Sequence, residues 1–205
     1  VDPVELISQE EANEFLPPFT PVNAYLRTED PMSLGTLADT EHYLEIRYDL
    51  EKAINASKDL IDEVGKEFGD KFGRYYGLIE EYKSEDAEII LIAMGSICGT
   101  IKDVIDEQRE AGKKVGLIRV RSYRPFPKEA LKEAVKDAKL AVIDKDISFS
   151  VGGALFSDVR SSLTNETYGY IIGLGGRDIT PDHIEEIIEK TENPTKDVEW
   201  IGLRE

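Results

Sequence analysis

Cysteine is nearly missing from this chain: Cys98 is the only one among 205 residues. A single thiol excludes a disulfide framework, and it excludes an iron–sulfur cluster or a structural zinc held by this chain alone. Histidine is scarce too. His42 and His183 lie on separate segments, without the acid and nucleophile that general-base catalysis needs nearby, so each reads as a surface or capping residue. Long apolar runs are absent as well, since the longest, Ile89–Met94, falls far short of the roughly 20 residues that span a bilayer. With no basic-then-apolar leader, a cytoplasmic location without membrane contact is expected. The chain begins at Val1 and not at Met, which suggests processing or a piece of a longer polypeptide. Positive charge is also short: 25 Lys and Arg face 42 Asp and Glu, a net of −17. Polyanion binding needs clustered cations that release counterions, so no nucleic-acid partner is expected.

The charge that is present is uneven. Residues 1–86 carry 8 basic and 21 acidic side chains, whereas residues 87–205 carry 17 and 21. A solvated acidic face and a docking face for a basic partner both fit this imbalance. Residues 1–39 contain Pro17, Pro18, Pro21 and Pro31, with apolar residues at neither helical nor strand period, and read as an extended arm laid over something else. Residues 40–86 read as a linker helix and its connection. Leu50, Ala53, Ile54, Leu60, Ile61, Val64, Phe68 and Phe72 recur at three- and four-residue steps up to Phe72, with Asp39 or Thr40 able to cap the start.

From Ala87 to Glu205 apolar strands alternate with amphipathic helices. The strands are expected at 88–94, 115–120, 140–144 and 168–172, and the helices at 100–111, from Phe126-Pro127 onward, at 152–163 and at 181–190. Continuous apolar strands between amphipathic helices predict a doubly wound parallel sheet covered on both faces. The tail from Asn193 is expected to pack back as an edge segment.

Function in such a sheet collects where strands exit into helices. The turns Gly95–Gly99 and Gly173–Asp178 bear glycines that could cradle a phosphate, yet neither completes a dinucleotide or P-loop fingerprint, so tight turns are the alternative. Cys98 beside a helix start is either a thiol of lowered pKa or a small buried filler. Arg119 and Arg121 project from one face at a strand exit, with Arg124 just beyond. They suit either an anion clamp or ion pairing across an interface. The abundant carboxylates show no pair whose surroundings predict a raised pKa.

Five ordered motifs then carry a resemblance: Met94-Gly95-Ser96; Arg119-x-Arg121-x-x-Arg124-Pro125-Phe126-Pro127; Asp144-Lys145-Asp146-Ile147-Ser148-Phe149; Gly152-Gly153-x-Leu155-Phe156; and Gly173-Leu174-Gly175-Gly176-Arg177-Asp178. Together with the Gly35 loop and Phe72-Gly73-Arg74-x-Tyr76-Gly77-Leu78-Ile79-Glu80, they resemble the carboxyl-terminal part of the α subunit of pyruvate:ferredoxin oxidoreductase, or pyruvate synthase. The Arg-Pro-Phe-Pro turn is also similar to one in the carboxyl-terminal domain of transketolase. The resemblance implies a transketolase C-terminal-like fold for 87–205, and an enzyme that decarboxylates a 2-oxoacid, reduces ferredoxin and forms acyl-CoA. It implies that thiamine diphosphate, Mg²⁺, iron–sulfur clusters and coenzyme A serve the full enzyme, with none bound by this chain alone. It further implies that 1–39 is the tail of a missing amino-terminal thiamine-pyrimidine-binding domain, and that a thiamine-binding β subunit, a cluster-bearing subunit and a γ subunit are partners. No catalytic, cofactor-binding or metal residue is transferred to this chain. Arg119, Arg121, Arg124 and Arg177 are the candidate inter-subunit contacts. An independent nucleotide- or small-molecule-binding regulatory module is the alternative.

Overall fold

The computed structural model describes residues 5–21, 25–32, 35 and 37–204. The chain divides into two compact units, Val1–Ala53 and Ile54–Glu205. In the first, a helix α1 (Gln9–Phe15) interrupts the arm expected to be extended. Ser8 and Glu11 form a capping box there: Ser8 Oγ accepts from the Glu11 amide at 3.2 Å, and Glu11 Oε2 accepts from the Ser8 amide at 2.8 Å. The helix stops at Leu16 because Pro17 and Pro18 follow. The Gly35 loop is bordered by residues 33, 34 and 36, which lie outside the described residues.

Helix α2 (Tyr43–Phe72) is the expected long helix. Asp39 Oδ1 caps its start, accepting the amides of Glu41 and His42 at 3.1 Å each. In its last turns Phe68 packs its ring 4.6 Å from Phe72 and 5.6 Å from Tyr76, as the chain turns back after the helix. Gly65 is buried beneath that return, where a β-carbon would stand 2.3 Å from the Tyr76 carbonyl oxygen.

The second unit holds six strands: β1 (Ile79–Tyr82), β2 (Ile89–Ala93), β3 (Val115–Val120), β4 (Lys139–Asp144), β5 (Thr167–Ile171) and β6 (Val198–Trp200). They lie in the order β1-β3-β2-β4-β5-β6, all neighbours parallel except β1 with β3. The sheet is therefore mostly parallel and opens before Ala87, on an antiparallel edge strand where the sequence predicts only a connection. Its sequence Ile-Glu-Glu-Tyr lacks the apolar run that marks a central strand. The expected edge segment of the tail is β6.

Four helices wind the sheet: α3 (Ile97–Glu110), α4 (Lys128–Val135), α5 (Ala154–Ser162) and α6 (Pro181–Glu192). One core joins Leu91, Leu117 and Ile143 of the sheet to Ile101 and Ile105 of α3 and Ile184 and Ile187 of α6. On the other face Ile92, Ile118 and Val142 meet Leu131 of α4 and Leu155 and Val159 of α5. Strand period two feeds alternate residues to these two layers, which makes the expected doubly wound α/β fold. Helix α6 begins where Thr180 and Pro181 predict, with the Thr180 amide donating to His183 Nδ1 at 3.2 Å. Among the described residues no helix is long and apolar enough to cross a membrane.

Candidate functional site

The chain leaves β2 for β3 on one side and later crosses to β4 on the other, so the carboxyl ends of these strands border the crevice where open α/β sheets place function. Two polar constellations stand at this end.

The first centres on Glu80 of β1, whose Cα pairs directly with that of Arg119 on β3. Lys102, reaching up from α3, and Arg121, just past the end of β3, both donate to its carboxylate. Arg119 Nη1 stands 3.7 Å from Oε2 of Glu80, the oxygen that Arg121 also reaches. Burial alone would raise the Glu80 pKa, but the Lys102 hydrogen bond and the Arg121 charge outweigh it and hold the carboxyl below its ordinary value. One half-buried carboxylate thus gathers three cations. Arg124 lies on the same strand exit. Its guanidinium reaches Asp158 of α5 at 2.8 Å and stacks 4.2 Å over Tyr123, while Arg121 stacks 4.6 Å over Tyr76. Burial, with Asp158 second, pushes the Tyr123 hydroxyl up to about 12.

Three of the four candidate arginines are therefore brought to the exit of β3. Arg177 is not. It sits in the turn after β5, donates to the Gly202 carbonyl and borders a small recess of about 150 Å³ with Trp200 and Leu203. Glu80 and Lys102 are not legible as partners in the sequence, because their contact requires β1 to be a strand.

The second constellation is Asp144, at the end of β4 and only 2% exposed. Its two carboxylate oxygens accept the amides of Leu155 and Phe156, each at 3.0 Å, and so cap α5 across an eleven-residue separation. Asp146 accepts the Ala154 amide at 2.9 Å. A β-carbon at residue 153 would fall 2.0 Å from Asp144 Cγ, which explains the glycine at that turn. Burial raises the Asp144 pKa to about 6, against the two amides that favour the charged form. The sequence predicts no carboxylate pair with a raised pKa, and Asp144 is raised chiefly by burial and not by a paired acid. The cause is a long-range contact, visible in sequence only as an acid closing a strand ahead of Gly152-Gly153.

Cys98 is buried, and burial drives its thiol up to about 11, with the Arg119 charge offsetting only part of the effect. It is the filler of the two readings. Among the described residues no three His, Cys, Asp or Glu side chains are grouped to hold a metal ion. A larger cavity of about 780 Å³ opens at the opposite end, where the strands start. There Lys113 pairs with Glu192 at 2.9 Å and Lys114 with Glu88 at 3.1 Å, and because open α/β sheets place function at the carboxyl ends of their strands, the exit of β3 is the stronger candidate.

Residues 87–184 match the family profile described as pyruvate:ferredoxin oxidoreductase core domain II. The whole chain aligns at 56% identity with a pyruvate synthase subunit PorA of Methanothermobacter thermautotrophicus and at 44% with that of Pyrococcus furiosus, covering 54% of each. The chain thus spans about half the length of the curated relatives it matches. A solved 2-oxoglutarate:ferredoxin oxidoreductase from Magnetococcus marinus superposes with a TM-score of 0.51 at 19% identity, over 76% of this chain and 24% of that one. At that identity the likeness bears on the fold.

Proposed function

Since the chain belongs to the pyruvate:ferredoxin oxidoreductase family, in which its similarity runs to pyruvate synthase subunits PorA, we propose that it works as the carboxyl-terminal part of the α subunit of such an enzyme. The enzyme would decarboxylate pyruvate, reduce ferredoxin and form acetyl-CoA. The observation that carries this reading is 56% identity along the entire chain to a protein named pyruvate synthase subunit PorA. No such span favours an independent regulatory module.

The described residues do not fit the cofactors of that chemistry. Asp144 is engaged by α5, Glu80 by cations, and Cys98 is a buried, protonated thiol. Thiamine diphosphate, Mg²⁺ and the clusters belong, in this reading, to an amino-terminal thiamine-pyrimidine-binding domain and to partner subunits in the cytoplasm. Residues 1–39 are the tail of that domain, 40–86 the linker, whose strand β1 joins the sheet, and 87–205 the rest of a docking domain. Arg119, Arg121, Arg124 and Arg177 are its contacts to other subunits.

Co-expression of the full-length gene with its partner-subunit genes tests the proposal. Pyruvate- and CoA-dependent reduction of ferredoxin is expected, with this chain alone inactive. Turnover confined to a branched-chain 2-oxoacid would refute the substrate, and absence of any 2-oxoacid-dependent reduction would refute the function.

A further inference from the structure

The exit of β3 opens into a cavity of about 410 Å³ lined by Ile61, Tyr76, Arg121, Ser122, Tyr123 and Arg124, together with Gly77. Two guanidiniums border it and no carboxylate does, in a chain whose net charge is −17. Both guanidiniums are held in place: Arg121 between Glu80 and the Tyr76 ring, Arg124 between Asp158 and the Tyr123 ring. A guanidinium offers five N–H donors. Among the described residues Arg121 gives one to Glu80, and Arg124 gives one each to Asp158 and the Tyr123 carbonyl. Around Glu80 the cations Lys102, Arg119 and Arg121 share one carboxylate, and Arg121 also borders a cleft lined by Asp62, Glu81 and Glu133, so it is the spare donors of the two guanidiniums, facing a basin without carboxylates, that mark this side.

Shape and composition decide what this charge receives. Small-molecule sites enclose most of their ligand's surface. This basin is broadly open to solvent. Its paired arginines and tyrosines are instead the residue types that dominate binding energy at protein interfaces. A carboxylate fits the fork of a fixed arginine, and the aliphatic stem of an acidic side chain fits a tyrosine face. We infer that the basin between Arg121 and Arg124 is the socket for an acidic side chain of a partner polypeptide, its carboxylate shared by the two guanidiniums. The inference rests on the reading of this chain as a subunit. It goes further by naming the partner's chemistry and by separating these two arginines from Arg177.

The test uses the multi-subunit enzyme reconstituted from full-length subunits. Arg124→Glu and, separately, Arg121→Gln are expected to weaken partner binding about tenfold or more at ~0.1 M salt, and to flatten the decline of affinity with added salt. Arg124→Lys places a primary amine in the socket, and carbodiimide treatment is expected to join it to a partner Asp or Glu identifiable by mass spectrometry. Thermal melting of each variant separates loss of docking from loss of fold, and the crosslink stands independently of either. Unchanged affinity, with crosslinking from position 124 only to Asp158 of the same chain, would overturn the inference and leave the subunit reading intact. Tight binding of phosphate or citrate to the free subunit, without an interchain crosslink, would overturn it in favour of a small anion. Failure of the unsubstituted subunit to recruit any partner would instead sink the subunit reading.

Discussion

Asp144 sets two effects against each other at one carboxylate. The Leu155 and Phe156 amides favour its charged form, burial favours the neutral one, and burial prevails with a pKa of about 6 against an ordinary 3.8. A group raised on folding contributes stability that is fully present below its unfolded pKa and is lost as pH rises through its folded value. The shift corresponds to about 3 kcal/mol over the whole window, of which about 1 kcal/mol falls between pH 5 and pH 7. The isoelectric point near 4.6 makes pH 5 the practical lower limit. Asp144→Asn removes the titration while keeping the shape. One α5 amide then meets an NH₂ group in place of an oxygen, at a cost of about 1–3 kcal/mol. Urea denaturation followed by far-ultraviolet circular dichroism should therefore show the variant less stable at pH 5, with its deficit shrinking by about 1 kcal/mol by pH 7. A deficit that widens with pH would refute the reasoning, because it would mean that the α5 amides outweigh burial and that Asp144 is an ordinary ionised helix cap.

Three further outcomes follow from the same geometry. Gly65→Ala places a methyl group against the Tyr76 carbonyl and should lower stability by about 1–3 kcal/mol, read from the urea midpoint. Cys98, with its thiol near 11, should resist a thiol reagent such as Ellman's at pH 8 and react at once in denaturant; rapid labelling of the native chain would contradict the burial assigned to it. Glu80→Gln leaves Lys102, Arg119 and Arg121 around a neutral group, so this variant should melt earlier than its parent and recover with added sodium sulfate by more than the parent gains.

The parts of the fold visible in the sequence are those that local pattern controls. Strand β3 was expected at 115–120 and lies there, because Val-Gly-Leu-Ile-Arg-Val is continuous and apolar up to its exit. The start of α6 was legible through Thr180 and Pro181, and the cap of α2 through Asp39. What escaped depended on distant partners or on weak local signals. Strand β1 is short, polar and held by pairing to a strand nearly forty residues later. Helix α1 hid among prolines, although Ser8 and Glu11 carried its capping box in plain view. Helix α3 begins at Ile97, three residues before the expected Thr100, since Gly95 and Ser96 complete the turn without a side-chain cap. Within the candidate site the arginines were legible as a cluster, but Glu80, which orders them, and Tyr76 and Tyr123, which they cover, were not.

The polar groups at the carboxyl end of the sheet fall into two kinds by what already occupies them. Asp144 and Asp146 are bound to the first amides of α5, so their oxygens are committed to holding the helix against the strand. Arg121 and Arg124 are committed only in part, because one carboxylate each restrains a group with donors to spare. Such restraint lowers the entropy lost when a second carboxylate arrives, since the guanidinium has already been fixed in place. Glu80 and Asp158 thus position the two arginines without exhausting their donors. If this edge receives an acidic partner side chain as proposed, Glu80 and Asp158 serve it as positioning residues, although neither touches what docks.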